Sequence, residues 1–204
     1  MRRLLVAASC LLILSACSDD PPADVLPAPD VPPKTSVDVD TPDLRELKAE
    51  AGIEDCAPGS GKGSLPDVTV ACLGGGTPVN LSSLRGPLVI NFWQNQCTAC
   101  EHEMPILQAF HEEYGDDVAV LGIDSTDVFP GTALEQLRDR GVTYPQLADP
   151  DGNLQETEAF AKVQGYPHLI FVDADGRITY DKSGAVASAD ELENLVEEHL
   201  GVSL

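Results

Sequence analysis

Apolar and polar positions divide the chain near residue 40. Before it, an almost wholly apolar run, Leu4 to Leu14, is followed by a polar stretch, Ser18 to Asp43, without apolar periodicity. Beyond it, periodic segments follow one another closely. Leu44, Leu47, Ala51 and Ile53 recur at roughly helical spacing after Thr41-Pro42. This predicts a short amphipathic helix, capped by Thr and ending near Gly52. Val68 to Cys72 and Thr77 to Asn80 flank three glycines, a hairpin signal. Leu88 to Trp93 and Val118 to Asp124 are apolar runs of strand length. Between them, Met104, Leu107 and Phe110 or His111 mark a helix over Glu101 to Tyr114. Further helices are predicted over Thr132 to Arg140 and Leu154 to Lys162. His168 to Asp173 is a strand, Ala174-Asp175-Gly176 a turn and Arg177 to Asp181 its hairpin partner. Ser188 is placed to cap a last helix reaching about Leu200. Strands alternating with helices, then a hairpin and a final helix, imply an α/β sandwich around a mixed β-sheet.

Composition adds the compartment. The 204 residues suit one ordinary domain plus extensions, and 43% hydrophobic residues suffice for a core. A formal net charge of −22 argues against nucleic acid as a partner, because phosphate binding needs clustered Lys and Arg. The acid reads as a soluble, self-repelling surface. Arg2 and Arg3 precede an apolar run too short to span a bilayer comfortably, the pattern of a signal peptide. Leu14-Ser15-Ala16-Cys17 resembles a bacterial lipobox, whose cysteine becomes the lipidated first residue. The expected organisation is a signal over 1–16, a Pro/Asp-rich tether over 17–43 and a folded domain over 44–204. The tether holds seven of the 16 prolines and cannot bury enough apolar surface to fold. The expected location is outside the cytoplasm, lipid-anchored at Cys17 to the bacterial cell membrane.

Of the six cysteines, Cys10 leaves with the signal and Cys17 takes the lipid. Cys56, Cys72, Cys97 and Cys100 remain, an even number in an exported chain where disulfides persist. Three pairings are possible; the C-x-x-C spacing favours Cys97 with Cys100, leaving Cys56 with Cys72. The second bridge would close a loop of about 15 residues and contribute ~3 kcal/mol in the chain-entropy model. Between its cysteines, GSGKGS resembles a phosphate loop but fails it. Gly63 follows Lys62, and Cys56 stands where the first Gly belongs.

Cys97 follows a buried strand and opens a helix, so free N–H groups and the positive helix end face its sulfur. Both favour the thiolate, the species that attacks disulfides. Cys100, one turn later, is within reach but inside the helix. The expected roles are an exposed nucleophile, Cys97, and a resolving thiol, Cys100. A sheet's carboxyl end is where open α/β folds place their sites.

Val89-Ile-Asn-Phe-Trp93, Cys97-Thr-Ala-Cys100 and Glu103-Met-Pro105 together resemble the thioredoxin-like TlpA/ResA family of exported, membrane-tethered thiol–disulfide oxidoreductases. Gly165-Tyr166-Pro167 and Phe171 to Arg177 fall in the family's order, and the likeness covers about Leu65 to Leu200. The resemblance implies a thioredoxin-like sandwich with an N-terminal hairpin extension. It implies a cis Pro167 facing the cysteines, and a substrate groove involving Trp93, Tyr166, Pro167 and His168. It also implies that Glu103, three residues past Cys100, tunes the pair and moves the resolving thiol's proton. No cofactor is expected beyond the Cys97–Cys100 disulfide. Implied partners are exported cysteine-containing proteins, apocytochrome c among them, and a membrane thiol–disulfide electron donor or acceptor.

The chain departs from the family at Gln96, Ala99 and His168, where Trp, Pro and a small hydroxyl residue are usual. A histidine beside the pair would stabilise the thiolate and make it more oxidising. The direction of electron flow, reduction or DsbA-like oxidation, therefore stays open. Competing readings are a copper or zinc carrier using Cys97, Cys100, His102 and His168, a peroxidase, and a binding module with an inert bridge. Arg is absent from Leu88 to Gln136, against the peroxidase. Asp124, Asp127, Asp149 and Asp151 lack EF-hand spacing.

Overall fold

A computed structural model describes residues 37–204. The expected signal, most of the expected tether and Cys17 lie outside the described residues. Helix α1, Pro42–Ala51, starts where Thr41 Oγ1 accepts the Leu44 N–H at 3.3 Å. It stops at Gly52, whose left-handed φ of 70° favours glycine. The hairpin forms from β1, Thr69–Cys72, and β2, Val79–Asn80. Then come β3, Leu88–Trp93; α2, Thr98–Tyr114; β4, Ala119–Ser125; α3, Pro130–Asp139; and β5, Gln146–Asp149. The chain ends with β6, His168–Val172; β7, Ile178–Ser183; and α4, Ala189–Leu200, capped by Ser188.

The seven strands form one sheet in the order β2-β1-β5-β4-β3-β6-β7. Strands β3, β4 and β5 are parallel, and β1, β6 and β7 join antiparallel. The fold is a thioredoxin-like mixed sheet flanked by helices. On one face, Val89, Trp93 and Phe171 pack with Met104 and Leu107 of α2, Leu134 of α3 and Leu192 of α4. On the other, Ile90, Phe92, Ile123 and Ile170 pack against Leu65 from a loop and against Leu154 and Phe160 from two 3-10 turns. Every residue of β3 is buried, which explains its apolar reading, interrupted only by Asn91.

Two elements differ from the periodicity. Leu154 to Lys162 is not a helix but two 3-10 turns, Asn153–Glu156 and Glu158–Phe160. The Asp149 carboxylate accepts the Asn153 and Leu154 N–H groups, which fixes a tight turn at the start. Thr157 is extended between the turns (ψ 148°), so the helical ladder cannot propagate. Strand β5 has too short an apolar signal to be read alone, and exists because β1 and β4 flank it. Helix α2 also begins earlier than its apolar stripe, at Thr98.

Candidate redox site

The site is assembled where β3 and β4 end and antiparallel β6 begins, His168 lying opposite Phe92. Past Trp93 the chain makes a short loop and Cys97 becomes the N-cap of α2. Its Sγ accepts the backbone N–H of Cys100 at 3.0 Å. A helix N-terminus is a ready site for negative charge, so this contact stabilises a thiolate at Cys97. Cys97 is half-buried and Cys100 fully buried; the two are disulfide-bonded, Cα atoms 5.2 Å apart. Only the first sulfur is therefore open to a partner.

Three loops are tied together around this pair. Asp127 accepts the backbone N–H of Asn95 at 3.1 Å and its side-chain amide at 3.2 Å. It also accepts the Phe129 N–H at 2.8 Å. Gln94 donates to the Thr126 carbonyl at 2.8 Å, and Thr126 Oγ1 lies 3.0 Å from the Tyr166 hydroxyl. Gln155 donates to that same hydroxyl. Thr126 and Asp127, which hold Gln94 and Asn95, and Gln155, which holds Tyr166, are remote in the chain and carry no signal along it.

Glu103 is fully buried, one helical turn past Cys100. Its Oε1 accepts the Val186 N–H at 2.8 Å, while Oε2 is buried without a partner. Burial pushes its carboxyl up to about 7 against the pull of the Val186 N–H and Lys182. A carboxyl titrating there is half ionised near neutral pH, as proton transfer to and from a thiol requires. Asp124 is a second buried acid beneath the loops. Burial, then the neighbouring Asp127, raises its carboxyl well above the ordinary range.

Tyr166 is half-buried, Pro167 buried, and the Tyr166–Pro167 bond is cis. Two expected groove residues are not surfaces. Trp93 is 0% exposed, its Nε1 donating to Gln146 Oε1 at 2.9 Å, so it floors the site and cannot touch a docked chain. His168 is 2% exposed. Its register partner Phe92 packs in the core opposite the one holding Cys100 and α2, and residues directly opposite share a face. Burial lowers the His168 pKa despite Asp181 nearby, so the ring stays neutral. The pleat that makes β6 a strand turns this side chain away from the cysteines. His102 is exposed on α2. Among the described residues, no group of three or more His, Cys, Asp or Glu is arranged to hold a metal ion.

Fold and cysteine pair together define a thioredoxin-like protein with the C-x-x-C arrangement that thiol–disulfide exchange uses. The chain belongs to the AhpC/TSA family, whose sequence model matches residues 62–181. It is 28% identical over 116 residues to the protein DipZ of Mycobacterium tuberculosis, covering 54% of this chain but only 16% of DipZ. The thiol-disulfide oxidoreductase ResA of Halalkalibacterium halodurans is 27% identical over 128 residues, 61% of this chain and 67% of ResA. Among solved structures, a secreted M. tuberculosis disulfide oxidoreductase homologous to E. coli DsbE superposes with a TM-score of 0.56. That protein is 28% identical, with 65% of this chain and 96% of its own covered. A DsbF homologue from Corynebacterium diphtheriae superposes with a TM-score of 0.59 at 25% identity, covering 66% and 85%.

Proposed function

We propose that the protein works outside the cytoplasm, anchored through lipidated Cys17, exchanging disulfides with exported cysteine-containing proteins. The observation carrying this reading is the asymmetry of the pair: Cys97 Sγ capped by an N–H at 3.0 Å, Cys100 sealed beneath it. The Cys97 thiolate attacks a partner's disulfide and forms a mixed disulfide, releasing the partner's other sulfur as thiolate. Glu103 takes the proton of Cys100, whose thiolate attacks Cys97 Sγ and frees the partner's second thiolate. The partner has gained two electrons, and the protein holds the Cys97–Cys100 disulfide. A membrane dithiol restores the pair. The partner chain docks against Tyr166 and Pro167, the half-buried tyrosine and the cis proline that precede β6.

Keeping apocytochrome c and other exported thiols reduced is the role favoured by likeness to ResA. Disulfide formation is the second reading, favoured by the N-cap, since stabilising the Cys97 thiolate makes the pair more oxidising. Equilibration with glutathione separates them. A potential near about −270 mV, as in thioredoxin, fits a reductant, and one near about −120 mV, as in DsbA, fits an oxidant. Cys97→Ser should abolish insulin reduction, and Cys100→Ser should accumulate mixed disulfides with its partners. Full activity of the Cys97→Ser variant would falsify the scheme.

A further inference from the structure

The second disulfide has an unusual neighbour. Cys56 and Cys72 are bonded with Cα atoms 5.9 Å apart, joining a loop to strand β1. Lys48 reaches down from α1 with its side chain 7% exposed, and its Nζ lies 3.3 Å from Cys72 Sγ. The other Nζ partners are the Gly75 carbonyl at 3.0 Å and the Asp55 carboxylate at 3.1 Å, itself 91% exposed. Lysine is almost never this buried without a matching charge. Here its counter-charge is a solvated carboxylate, which solvent screens. One of its three donors points at a neutral sulfur. Gly76, at a φ of 120° that favours glycine, lies against the same pair: a Cβ there would be in ordinary contact with Nζ at 3.5 Å and Cys72 Sγ at 3.6 Å. Arg45 and Glu54 line the same groove, of about 640 Å³, as Lys48 and Gly76.

We infer that Cys56–Cys72 is a second redox-active disulfide, reducible by a dithiol, with Lys48 positioned to stabilise Cys72 as the departing thiolate. The two sulfurs are not equivalent. Cys56 is itself buried, 4% exposed, but sits in an irregular segment flanked by the exposed residues Glu54, Asp55, Ala57 and Pro58, so it is uncovered when that segment opens. Cys72, 1% exposed, is fixed in β1 beside the ammonium. A dithiol's thiolate attacks Cys56 Sγ and forms a mixed disulfide. The Cys56–Cys72 bond breaks, and its electron pair leaves on Cys72 Sγ against Lys48. The dithiol's second thiol, giving up its proton, attacks its own bonded sulfur, closes its disulfide and releases Cys56, which takes a proton. The protein gains two electrons, and the reductant loses them. The ammonium's carboxylate partner Asp55 is screened by solvent, and reduction adds a buried thiolate directly beside it, so the reduced state is stabilised, the condition that makes a disulfide oxidising. The pair also reaches the first site. Cys56 Sγ lies 3.2 Å from the Gln146 carbonyl, and the Gln146 side chain holds Trp93 at the end of β3.

The test uses the full chain carrying Cys97→Ser and Cys100→Ser, so the outcome does not depend on the first pair. The chain is equilibrated in reduced and oxidised dithiothreitol, alkylated, and the Cys56 and Cys72 peptides are quantified by mass spectrometry. Lys48→Met should lower the equilibrium constant for reduction at least tenfold, about 30 mV for two electrons, and Lys48→Arg should restore most of it. A purely structural lysine predicts the opposite sign, because a destabilised fold loses its disulfide more easily. Unchanged or easier reduction of Lys48→Met overturns the inference. A second measurement needs no change at Lys48. With Cys56→Ser added, alkylation of the Cys72 peptide against pH should place its thiol below the free-cysteine value of about 8.5. A value at or above that also overturns it.

Discussion

Replacing Glu103 by Gln removes a buried proton site while keeping its shape and its acceptor for the Val186 N–H. In the folded chain the carboxyl titrates at about 7 rather than 4.5, mainly because it is buried. The folded state therefore binds the Glu103 proton more tightly than the unfolded chain, and stability falls as pH rises from about 4.5 through about 7. A shift of this size corresponds to about 3 kcal/mol of lost stability once the group is ionised, at roughly 1.36 kcal/mol per pH unit. The amide introduced by Glu103→Gln does not ionise, so this component of the pH dependence should vanish. Urea denaturation of the oxidised proteins at about pH 4.5 and about pH 8.5 measures it. The variant minus wild-type difference should grow by about 3 kcal/mol in the variant's favour at the alkaline end. Other buried acids titrate in both proteins and cancel. A difference flat to within about 1 kcal/mol would show that Glu103 is not held protonated by burial. Single-turnover resolution of a mixed disulfide supplies the functional half. Loss of the base should slow attack by Cys100 by about a hundredfold, the lower end of general-base effects. An unchanged rate would leave Glu103 a structural acceptor for Val186.

Asp127→Ala removes the acceptor for three N–H groups from Asn95 and Phe129. It should cost about 1–3 kcal/mol for each donor left buried and unpaired, measured by denaturation. Gly122→Ala would place a Cβ 1.8 Å from Gln146 Oε1, and that amide cannot move without releasing Trp93. The expected loss is about 1–3 kcal/mol, with altered emission from Trp93, the only tryptophan; wild-type stability would show that Gln146 has another place to go. His168→Thr should leave the Cys97–Cys100 potential where it is, because the ring faces the other side of the sheet. A shift of about 30 mV or more, tenfold in equilibrium, would mean the ring reaches the pair.

Local pattern along the chain was enough for the strand-to-helix delivery of Cys97, the spacing of Cys100 and Glu103, and the hairpin that follows Pro167. Each of these rests on a period of two or 3.6, a cap, or a spacing of three residues. Both disulfide pairings were legible for the same reason, since one local pair leaves only one other. Strand β5 and the two 3-10 turns were not legible, because they depend on β1 and β4 and on the reach of Asp149 across a turn. The roles of Trp93 and His168 needed the tertiary structure too. Their positions in the chain lie beside the cysteines, but the pleat and packing decide which face a side chain enters. Long-range partners are equally invisible along the chain: Asn95 to Asp127, Gln94 to Thr126, Glu103 to Val186 and Lys48 to Cys72. Residue identity and spacing set which groups can carry a proton or a negative sulfur. Burial and a few contacts from distant segments decide how readily they do so.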